Sequence, residues 1–339
     1  MNHPRAVLLE AQAKQGLLPV CDHYSGVEVR MRKSLQLQAE MTEEWGACVF
    51  DVTLDCEDGA PTGGEAEHAA LVTELALQAA PTHGIAPRVA VRVHPVDHPA
   101  FESDVATIVG QAGHRLCHVM LPKVESVADV ARATQALRAA GHPDLPVHCL
   151  IESPSAVQQA FAIAAQPQVQ SLSFGLMDFV SAHAGAIPAS AMSSSGQFSH
   201  PLVLRAKLEI SSAAHASGKV PSHCVVTEFN DVAALQALAR RAACEFGFTR
   251  MWSIHPAQIR PILSAFAPDE ADIEKAAEII LAAQAAEWAP ISHAGQLHDR
   301  ASYRYFWQLL ERAHGTGRRL PSEVKVYFEP AASQLNGVV

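Results

Sequence analysis

The sequence has little that would suit nucleic acid, a membrane or a disulfide-stabilised fold. There are 25 Lys and Arg against 35 Asp and Glu, a formal net charge of −10, and such acidity argues against nucleic acid or an anionic membrane as the main partner. The sequence shows neither an apolar run of about 18 residues nor a signal-peptide hydrophobic segment. The seven cysteines form no CxxC pair, which is typical of free thiols in a reducing compartment. We therefore predict a cytoplasmic protein.

The motifs of several enzyme classes are also missing. Despite 18 histidines, no HExxH and no His/Cys set with zinc spacing occurs. The sequence contains no GxSxG, GxxxxGK[ST] or GxGxxG, the signatures of nucleophile elbows, P-loops and dinucleotide-binding turns. Aromatic residues make up only 6% of the chain, but hydrophobic residues reach 49%. A large hydrophobic core is therefore expected.

Short apolar runs alternate with stretches of helical periodicity along the 339 residues. Each run is bounded by polar residues, glycine or proline, and the intervals are long enough for crossover helices. Eight such units favour a closed (β/α)8 TIM barrel, an α/β fold, over an open sheet. The predicted strands are residues 17–21, 47–52, 88–93, 116–121, 147–151, 171–174, 220–226 and 251–254.

A helical extension is expected to follow the barrel. After Pro268 comes DEADIEKAAEIILAAQAAEWA, which has helical periodicity and Asp269 as its N-cap, and a second helical pattern ends ISHAGQLHDRASYRYFWQLLERA. We predict a barrel over residues 1–268 and a C-terminal helical extension over residues 269–339. The small-residue segment 185–199, after the sixth strand, is expected to be a mobile lid.

Polar side chains follow five consecutive predicted strands. The C-terminal ends of barrel strands converge on the face where active sites are built, so these residues are candidates for chemistry. Lys123 could in principle form a Schiff base, but its acidic surroundings favour an ordinary charged lysine. The candidates are Asp55, Glu57, Asp58, Arg92, Lys123, Glu125, Glu152 and Asp178.

Glu152 and Asp178 are the strongest pair. Carboxylates at adjacent strand ends can converge on a hard cation and leave positions for water and substrate oxygens, as Mg2+ prefers. Either carboxylate alone fits a helix cap or a salt bridge better. Arg92 favours a functional site over these structural roles, because a buried arginine has to be paired with an anion. That anion is either Glu57 or Asp58, or a substrate carboxylate.

In order along the chain, these strand ends resemble motifs of the HpcH/HpaI aldolase–citrate lyase superfamily. DCEDGA (55–60) resembles its acidic motif, VRVHP its VRIN strand, LPKVES its LPKVE strand, LIESPS its IET strand and FGLMDF its FGxxDL strand. GFTRMWSIHPAQIRPILSAFAP resembles the IHPxQI segment of the citrate lyase β-subunit and malyl-CoA lyase branch. The resemblance extends from about residue 17 to 310 and implies the same barrel fold.

The resemblance also implies roles for the matching residues. Glu152 and Asp178 match ligands of Mg2+, with Mn2+ as an alternative metal. Arg92 matches the arginine that binds and polarises a 2-oxo acid, and Glu57 and Asp58 match an acidic pair that supports it. The residues expected to bind the substrate are Arg92, Gly175, Leu176 and Met177.

In the extension, AGQLHDRAS resembles the family's xGxMIDxP segment. Asp299 is then the counterpart of an aspartate that, in trimeric relatives, reaches a neighbouring subunit's site and acts as general acid/base at the acyl methyl carbon. The resemblance therefore implies a homo-oligomer, a trimer or a hexamer, in which residues 269–339 complete the site of a neighbour.

The activity implied is a Mg2+-dependent carbon–carbon lyase that acts on a 3-hydroxy acid or its acyl thioester, with glyoxylate, oxaloacetate or pyruvate as the 2-oxo acid. Two alternatives stay open: a coenzyme A-independent aldolase on free 2-oxo acids, and a lyase subunit that needs an acyl-carrier protein. The family's first-strand arginine and its K…AR signature, which meet coenzyme A, are missing here. One hypothesis is that the thioester is not a standard coenzyme A ester, and that Asp22, His23 and Tyr24 serve a different substrate tail.

Overall fold

A computed structural model of the chain describes residues 3–9 and 17–328. The chain forms two compact units, one of residues 19–266 and the other of the N-terminal segment together with the chain from residue 267 onwards. In the first unit, eight parallel strands close into a barrel in the order β1 to β8, which confirms the predicted (β/α)8 fold. The strands are β1 Cys21–Ser25, β2 Phe50–Asp55, β3 Val89–Arg92, β4 Leu116–Leu121, β5 Val147–Ile151, β6 Val169–Phe174, β7 Val220–His223 and β8 Arg250–Ser253.

Helices connect the strands, and a π-helical turn over Val105–Val109 interrupts the segment between β3 and β4. Among the described residues, no helix combines the length and the apolar character needed to cross a membrane. The helices are α1 Pro4–Leu9, α2 Glu28–Trp45, α3 Glu65–Gln78, α4 Phe101–Asp104, α5 Gly110–Ala112, α6 Val127–Ala139, α7 Pro154–Ala164, α8 Leu176–Ser181, α9 Pro201–Ala216, α10 Val232–Phe246, α11 Pro256–Phe266, α12 Glu270–Ala285, α13 Arg300–Gly315 and α14 Ser322–Lys325.

The second unit is built on α12 and α13, which pack against each other, with a short hairpin of β9 Ile291–His293 and β10 Gln296–His298 between them. The two predicted helical patterns thus form helices. The helix α1 also packs on α13, and Arg5 pairs with the buried Glu311. Residues 4–9 therefore belong to this unit and not, as predicted, to a barrel that starts at residue 1. Residues 329–339 of the predicted extension lie outside the described residues.

The first strand differs most from its prediction. The apolar run at residues 17–21 is mostly a connection, and β1 starts only at Cys21 and continues through Asp22, His23 and Tyr24. The prediction from hydrophobicity placed this strand too early, because most of the polar side chains of β1 are buried and the neighbouring apolar run lies outside the strand. The other predicted strands overlap with those observed, and β4 and β5 have the predicted bounds.

Charged side chains fill part of the barrel interior, where aliphatic residues usually dominate. Arg250 of β8 places Nη2 2.9 Å from Asp22 Oδ2 and 2.6 Å from Asp51 Oδ2, and its Nη1 donates to the backbone oxygen of Pro19 at 2.9 Å. Arg88 pairs with Asp51 as well. Two acids and two arginines compensate one another, which is the condition under which charges are tolerated in a core.

The segment expected to be a lid is anchored at its far end by a buried lysine. Gln197 and Phe198 are buried, and Lys207 of α9 donates to Gln197 Oε1 at 2.7 Å. Its Nζ lies 2.6 Å from His223 Nε2 and 3.9 Å from the centroid of the Phe198 ring. Burial lowers the pKa of Lys207 to about 8, and Arg241 contributes in the same direction. The lysine cation is thus held by neutral groups.

This burial predicts how stability depends on pH. The pKa of Lys207 falls from an ordinary 10.5 to about 8 on folding, so between these values the unfolded chain binds more protons and stability rises with pH. From pH 8 to 10, the free energy of unfolding of the wild type should therefore rise relative to that of Lys207→Met, as urea titrations at both values would measure. The exposed Lys33→Met is the matched control, and it should keep the wild-type pH dependence. Parallel behaviour of wild type and Lys207→Met would contradict the prediction.

Candidate active site

Arg92, at the end of β3, lies at the centre of the predicted site. Its Nε donates to Asp55 Oδ1 at 2.5 Å, and its Nη2 donates to Asp58 Oδ2 at 2.7 Å and to Tyr24 Oη at 2.8 Å. Its Nη1 lies 2.7 Å from Glu57 Oε2. Arg92, Asp55 and Glu57 have almost wholly buried side chains, whereas that of Asp58 is 69% exposed. The sequence predicted that Asp55, Glu57 and Asp58 lie together. It assigned no role to Asp55 and did not predict the contact between Tyr24 and Arg92.

Two glycines allow the loops after β1 and β2 to come into contact beside this cluster. A Cβ on Gly26 would lie 2.7 Å from Gly59 Cα and 3.1 Å from Asp55 Oδ2. A Cβ on Gly59 would lie 2.5 Å from the backbone oxygen of Gly26. Any side chain at either position would force these loops apart, and with them the acidic segment that holds Arg92.

Lys123 connects the ends of β2, β4 and β5. Its Nζ lies 2.9 Å from Glu57 Oε1, and its backbone N–H donates to Glu152 Oε1 at 2.6 Å. Its φ of 51° is in the left-handed region, which residues other than glycine rarely adopt. This backbone conformation directs the N–H towards Glu152. The lysine is therefore an ordinary charged partner of the acids, in agreement with the sequence interpretation.

Three carboxylates influence one another at the strand ends. Burial raises the pKa of Glu152 to about 8, and the carboxylates of Glu57 and Asp178 contribute to this rise. Asp178 lies in the exposed first turn of α8. Clustered carboxylates are relieved by a positive ion, and oxygen donors are the ligands that Mg2+ prefers. The residues present therefore fit a divalent cation held by Glu152 and Asp178.

Gly175 leaves the space that Glu152 occupies. A Cβ at this position would lie 2.3 Å from Glu152 Oε2 and 2.5 Å from Glu152 Cβ. Leu176 and Met177, which follow Gly175 and are also expected to bind the substrate, differ in exposure. The Leu176 side chain is buried in the core, whereas Met177 is exposed. Leu176 can thus contact a ligand only through its backbone, because its side chain packs in the core.

The Gly175→Ala variant should displace the Glu152 carboxylate and weaken metal binding about tenfold or more, which corresponds to about 1.4 kcal/mol, while the barrel stays folded. Titration calorimetry with Mg2+ measures the affinity, and circular dichroism reports the fold. Gly110→Ala is the control, because a Cβ at position 110 meets no atom within 4 Å. Wild-type Mg2+ affinity in Gly175→Ala would exclude Glu152 as a ligand in the position described.

Asp299, predicted to be the acid/base residue, is the N-cap of α13 in the second unit. Its Oδ1 accepts from the backbone N–H groups of Ala301 at 3.0 Å and Ser302 at 3.4 Å. The Ser302 hydroxyl in turn accepts from the backbone N–H of Asp299 at 3.0 Å, which completes a capping box. Asp299 thus has a structural function within its own unit, and its action at a neighbour's site stays a prediction.

The three residues considered for a substrate tail have different environments. Asp22 is buried in the polar interior, and His23 is buried with its Nδ1 3.0 Å from Ser253 Oγ. Tyr24 alone of the three contacts Arg92. The prediction of a substrate tail at Asp22 and His23 is therefore wrong. Arg30, in the first turn of α2, is exposed, so a basic residue does follow β1 closely.

A second group of potential metal ligands lies inside the barrel. Asp22, His118 and His148 each bring one ligand atom within 4.8 Å of the others. The two imidazole rings are stacked, with centroids 3.5 Å apart and planes 12° apart, so no ion can lie in both ring planes, as coordination by both lone pairs requires. Arg250 already provides a positive charge to Asp22. We therefore assign this group to the barrel core.

Comparisons with known proteins identify the family and support the fold. The model of the HpcH/HpaI aldolase/citrate lyase family matches residues 35–256. A citrate lyase crystal structure from Burkholderia xenovorans LB400 is 49% identical, covers 97% of this chain and 100% of its own, and has a TM-score of 0.78. The L-malyl-CoA/beta-methylmalyl-CoA lyase of Cereibacter sphaeroides is 33% identical over 233 residues, which are 63% of this chain and 72% of that enzyme. The protein CitE of Mycobacterium tuberculosis, in complex with magnesium, acetoacetate and coenzyme A, shares the fold, with 22% identity, a TM-score of 0.64, and coverage of 87% of this chain and 98% of that one.

Proposed function

The chain belongs to the HpcH/HpaI aldolase/citrate lyase family, which includes the malyl-CoA and citrate lyases named above, and from this we propose a Mg2+-dependent lyase that acts at a 2-oxo acid. The compound that the enzyme cleaves or forms is a 3-hydroxy acid or its acyl thioester. The 2-oxo acid that is released or consumed is glyoxylate, oxaloacetate or pyruvate. One observation carries the proposal: Glu152 is buried at the strand ends near the carboxylates of Glu57 and Asp178, and this burial, together with those carboxylates, raises its pKa to about 8. Such a cluster suits a divalent cation, Mg2+ or Mn2+.

Glu152 and Asp178 would hold the metal. Bound Mg2+ would supply Lewis-acid stabilisation of the negative charge that develops on the carbonyl oxygen of the 2-oxo acid. Lys123 keeps the Glu152 carboxylate in place through its backbone N–H and compensates Glu57 through its side chain. The acidic cluster is thereby oriented before any substrate enters, which lowers the reorganisation that the reaction needs.

Arg92 would bind the carboxylate of the 2-oxo acid through its planar fork, which matches a carboxylate in two hydrogen bonds. The contacts with Asp55, Glu57, Asp58 and Tyr24 use four of the five N–H donors of Arg92, so a carboxylate that accepts two hydrogen bonds has to replace one of these partners. Asp58 is the exposed partner, whereas Asp55 and Glu57 are buried. We infer that Asp58 gives way, and that Asp55 and Glu57 keep the guanidinium in place.

The remaining role is proton transfer at the acyl methyl carbon, where the enolate is made or quenched. We assign it to Asp299 of a neighbouring subunit in a trimer or hexamer, because the AGQLHDRAS segment matches the family pattern. The carboxylate of Asp299 is exposed at the start of α13. It keeps one oxygen for the helix cap, Oδ1, while Oδ2 accepts none of the hydrogen bonds of the capping box.

The acyl partner defines the experiment that tests the proposal. Purified protein with Mg2+ should cleave at least one of malyl-CoA, citramalyl-CoA, a citryl thioester or a free 4-hydroxy-2-oxo acid, as release of the 2-oxo acid measures. Turnover of the free acids alone would favour the coenzyme A-independent aldolase, which agrees with the lack of basic residues in β1. Turnover only with an acyl-carrier protein would favour the subunit alternative.

The metal-site control in this assay is Asp178→Ala, which should lose turnover by a factor of about 100 or more, a typical loss when transition-state charge is no longer stabilised. The exposed Asp144→Ala should keep wild-type rates. A folded wild type that cleaves none of these compounds, with or without a carrier, would refute the proposed function. A wild-type rate in Asp178→Ala would remove that residue from the metal site.

The Asp299→Asn variant should stop exchange of the acyl methyl protons while it keeps Mg2+ and 2-oxo acid binding. Asparagine caps helices about as well as aspartate, so α13 should keep its start and only the acid/base group is lost. Proton NMR in deuterated water follows the exchange, and calorimetry follows the binding. A loss of Mg2+ binding, or exchange at the wild-type rate, would contradict the role given to Asp299.

A further inference from the structure

Tyr24 is the neutral member of the four groups that hold Arg92. The other three are the carboxylates of Asp55, Glu57 and Asp58, whereas the Tyr24 hydroxyl accepts from Arg92 Nη2 at 2.8 Å. Burial raises the pKa of this hydroxyl above its usual range, so it stays protonated. Tyr24 therefore orients the guanidinium without compensating its charge.

The aromatic ring of Tyr24 adds a second contact to Arg92. The guanidinium carbon lies 4.6 Å from the centroid of the ring, a distance at which the ring quadrupole attracts a cation. Hydroxyl and ring together restrain both the position and the plane of the guanidinium. Tyr24 and Asp58 share Nη2, which carries two N–H groups, so the contact with Tyr24 can persist when a substrate carboxylate takes the place of Asp58.

Tyr24 is itself fixed by the layer beneath the site. Its ring lies against Trp252 of β8, with centroids 5.7 Å apart and planes 32° apart. The Trp252 Nε1–H donates to Ser173 Oγ at 3.2 Å, and its ring packs with the buried Met120 and Leu150. Arg92 is therefore connected to the interior of the barrel through Tyr24 and Trp252.

We propose that Tyr24 is a positioning residue, which keeps Arg92 directed at the carboxylate of the 2-oxo acid when that carboxylate replaces Asp58. After Asp58 has left, Asp55 on Nε and Tyr24 on Nη2 still define the plane of the guanidinium. The inference depends on the proposed function, because it presupposes a 2-oxo acid at Arg92.

The test uses the Tyr24→Phe variant, which keeps the ring and removes the hydroxyl. With Mg2+ present, the Kd for the 2-oxo acid, measured by calorimetry with pyruvate, glyoxylate and oxaloacetate, should rise about tenfold, a typical loss for a hydrogen bond to a charged group. The KM for the same acid should rise in parallel, with kcat within about twofold of wild type, because the lost contact exists in ground and transition states alike. The Mg2+ affinity should not change.

Two further variants complete the experiment. Trp252→Phe keeps the Tyr24 hydroxyl but loosens its support, so it should raise the same Kd to a smaller extent, and it serves as the second test if Tyr24→Phe is unstable. Tyr305→Phe, at an exposed tyrosine of α13, is the matched control and should behave as wild type.

Three outcomes would contradict the role of Tyr24 or the proposed function. An unchanged Kd in both Tyr24→Phe and Trp252→Phe would overturn the positioning role. A fall in Mg2+ affinity that parallels the rise in Kd would also overturn it, because Tyr24 would then support the whole site and not Arg92. A wild type that binds Mg2+ but none of the three 2-oxo acids would overturn the proposed function, and this inference with it.

Discussion

The burial of carboxylates close to one another is the constraint that dominates the C-terminal face of the barrel. Glu57, Glu152 and Asp178 come from three different strand ends, and burial, together with the two neighbouring carboxylates, raises the pKa of Glu152 to about 8. Arg92 and Lys123 compensate this charge only in part. The strained backbone of Lys123, the space left at Gly175 and the paired glycines of the first two loops all serve to keep the acids close in spite of their repulsion. A site of this kind is completed by a cation.

Much of this could be predicted from the sequence, since the residues that carry the charge stand directly after apolar runs. The (β/α)8 barrel followed from the alternation of apolar and helical stretches, and the family and the contacts of Glu57 and Asp58 with Arg92 followed from the motifs. The comparisons and the structure confirm them. The start of β1 could not be predicted, because buried polar residues give a strand no hydrophobic signal. The contact between Tyr24 and Arg92 joins β1 to β3, and such non-local pairings have no local pattern. The roles given to Asp178 and Asp299 stay predictions.

The barrel handles charge in two different ways along its axis. In the interior, the acids and arginines are matched in number, and Asp22, Asp51 and Arg250 are fully buried, so they can be regarded as permanent partners. At the mouth, acids exceed bases, and Asp58 and Asp178 are exposed. The aromatic layer of Tyr24 and Trp252 separates these two zones. The interior thus supports a rigid frame, and the mouth keeps partners that a ligand can exchange.

The interior ion pairs also have a consequence for how the chain is made. Arg250 is in the last strand, and its two acidic partners are in the first two strands. During synthesis on the ribosome, more than two hundred residues are added after Asp22 before Arg250 is made. A truncated barrel that buried this aspartate early would pay the full desolvation cost of an unpaired charge. The delayed arginine therefore discourages premature closure and favours a chain that seals its core only when the eighth strand has emerged.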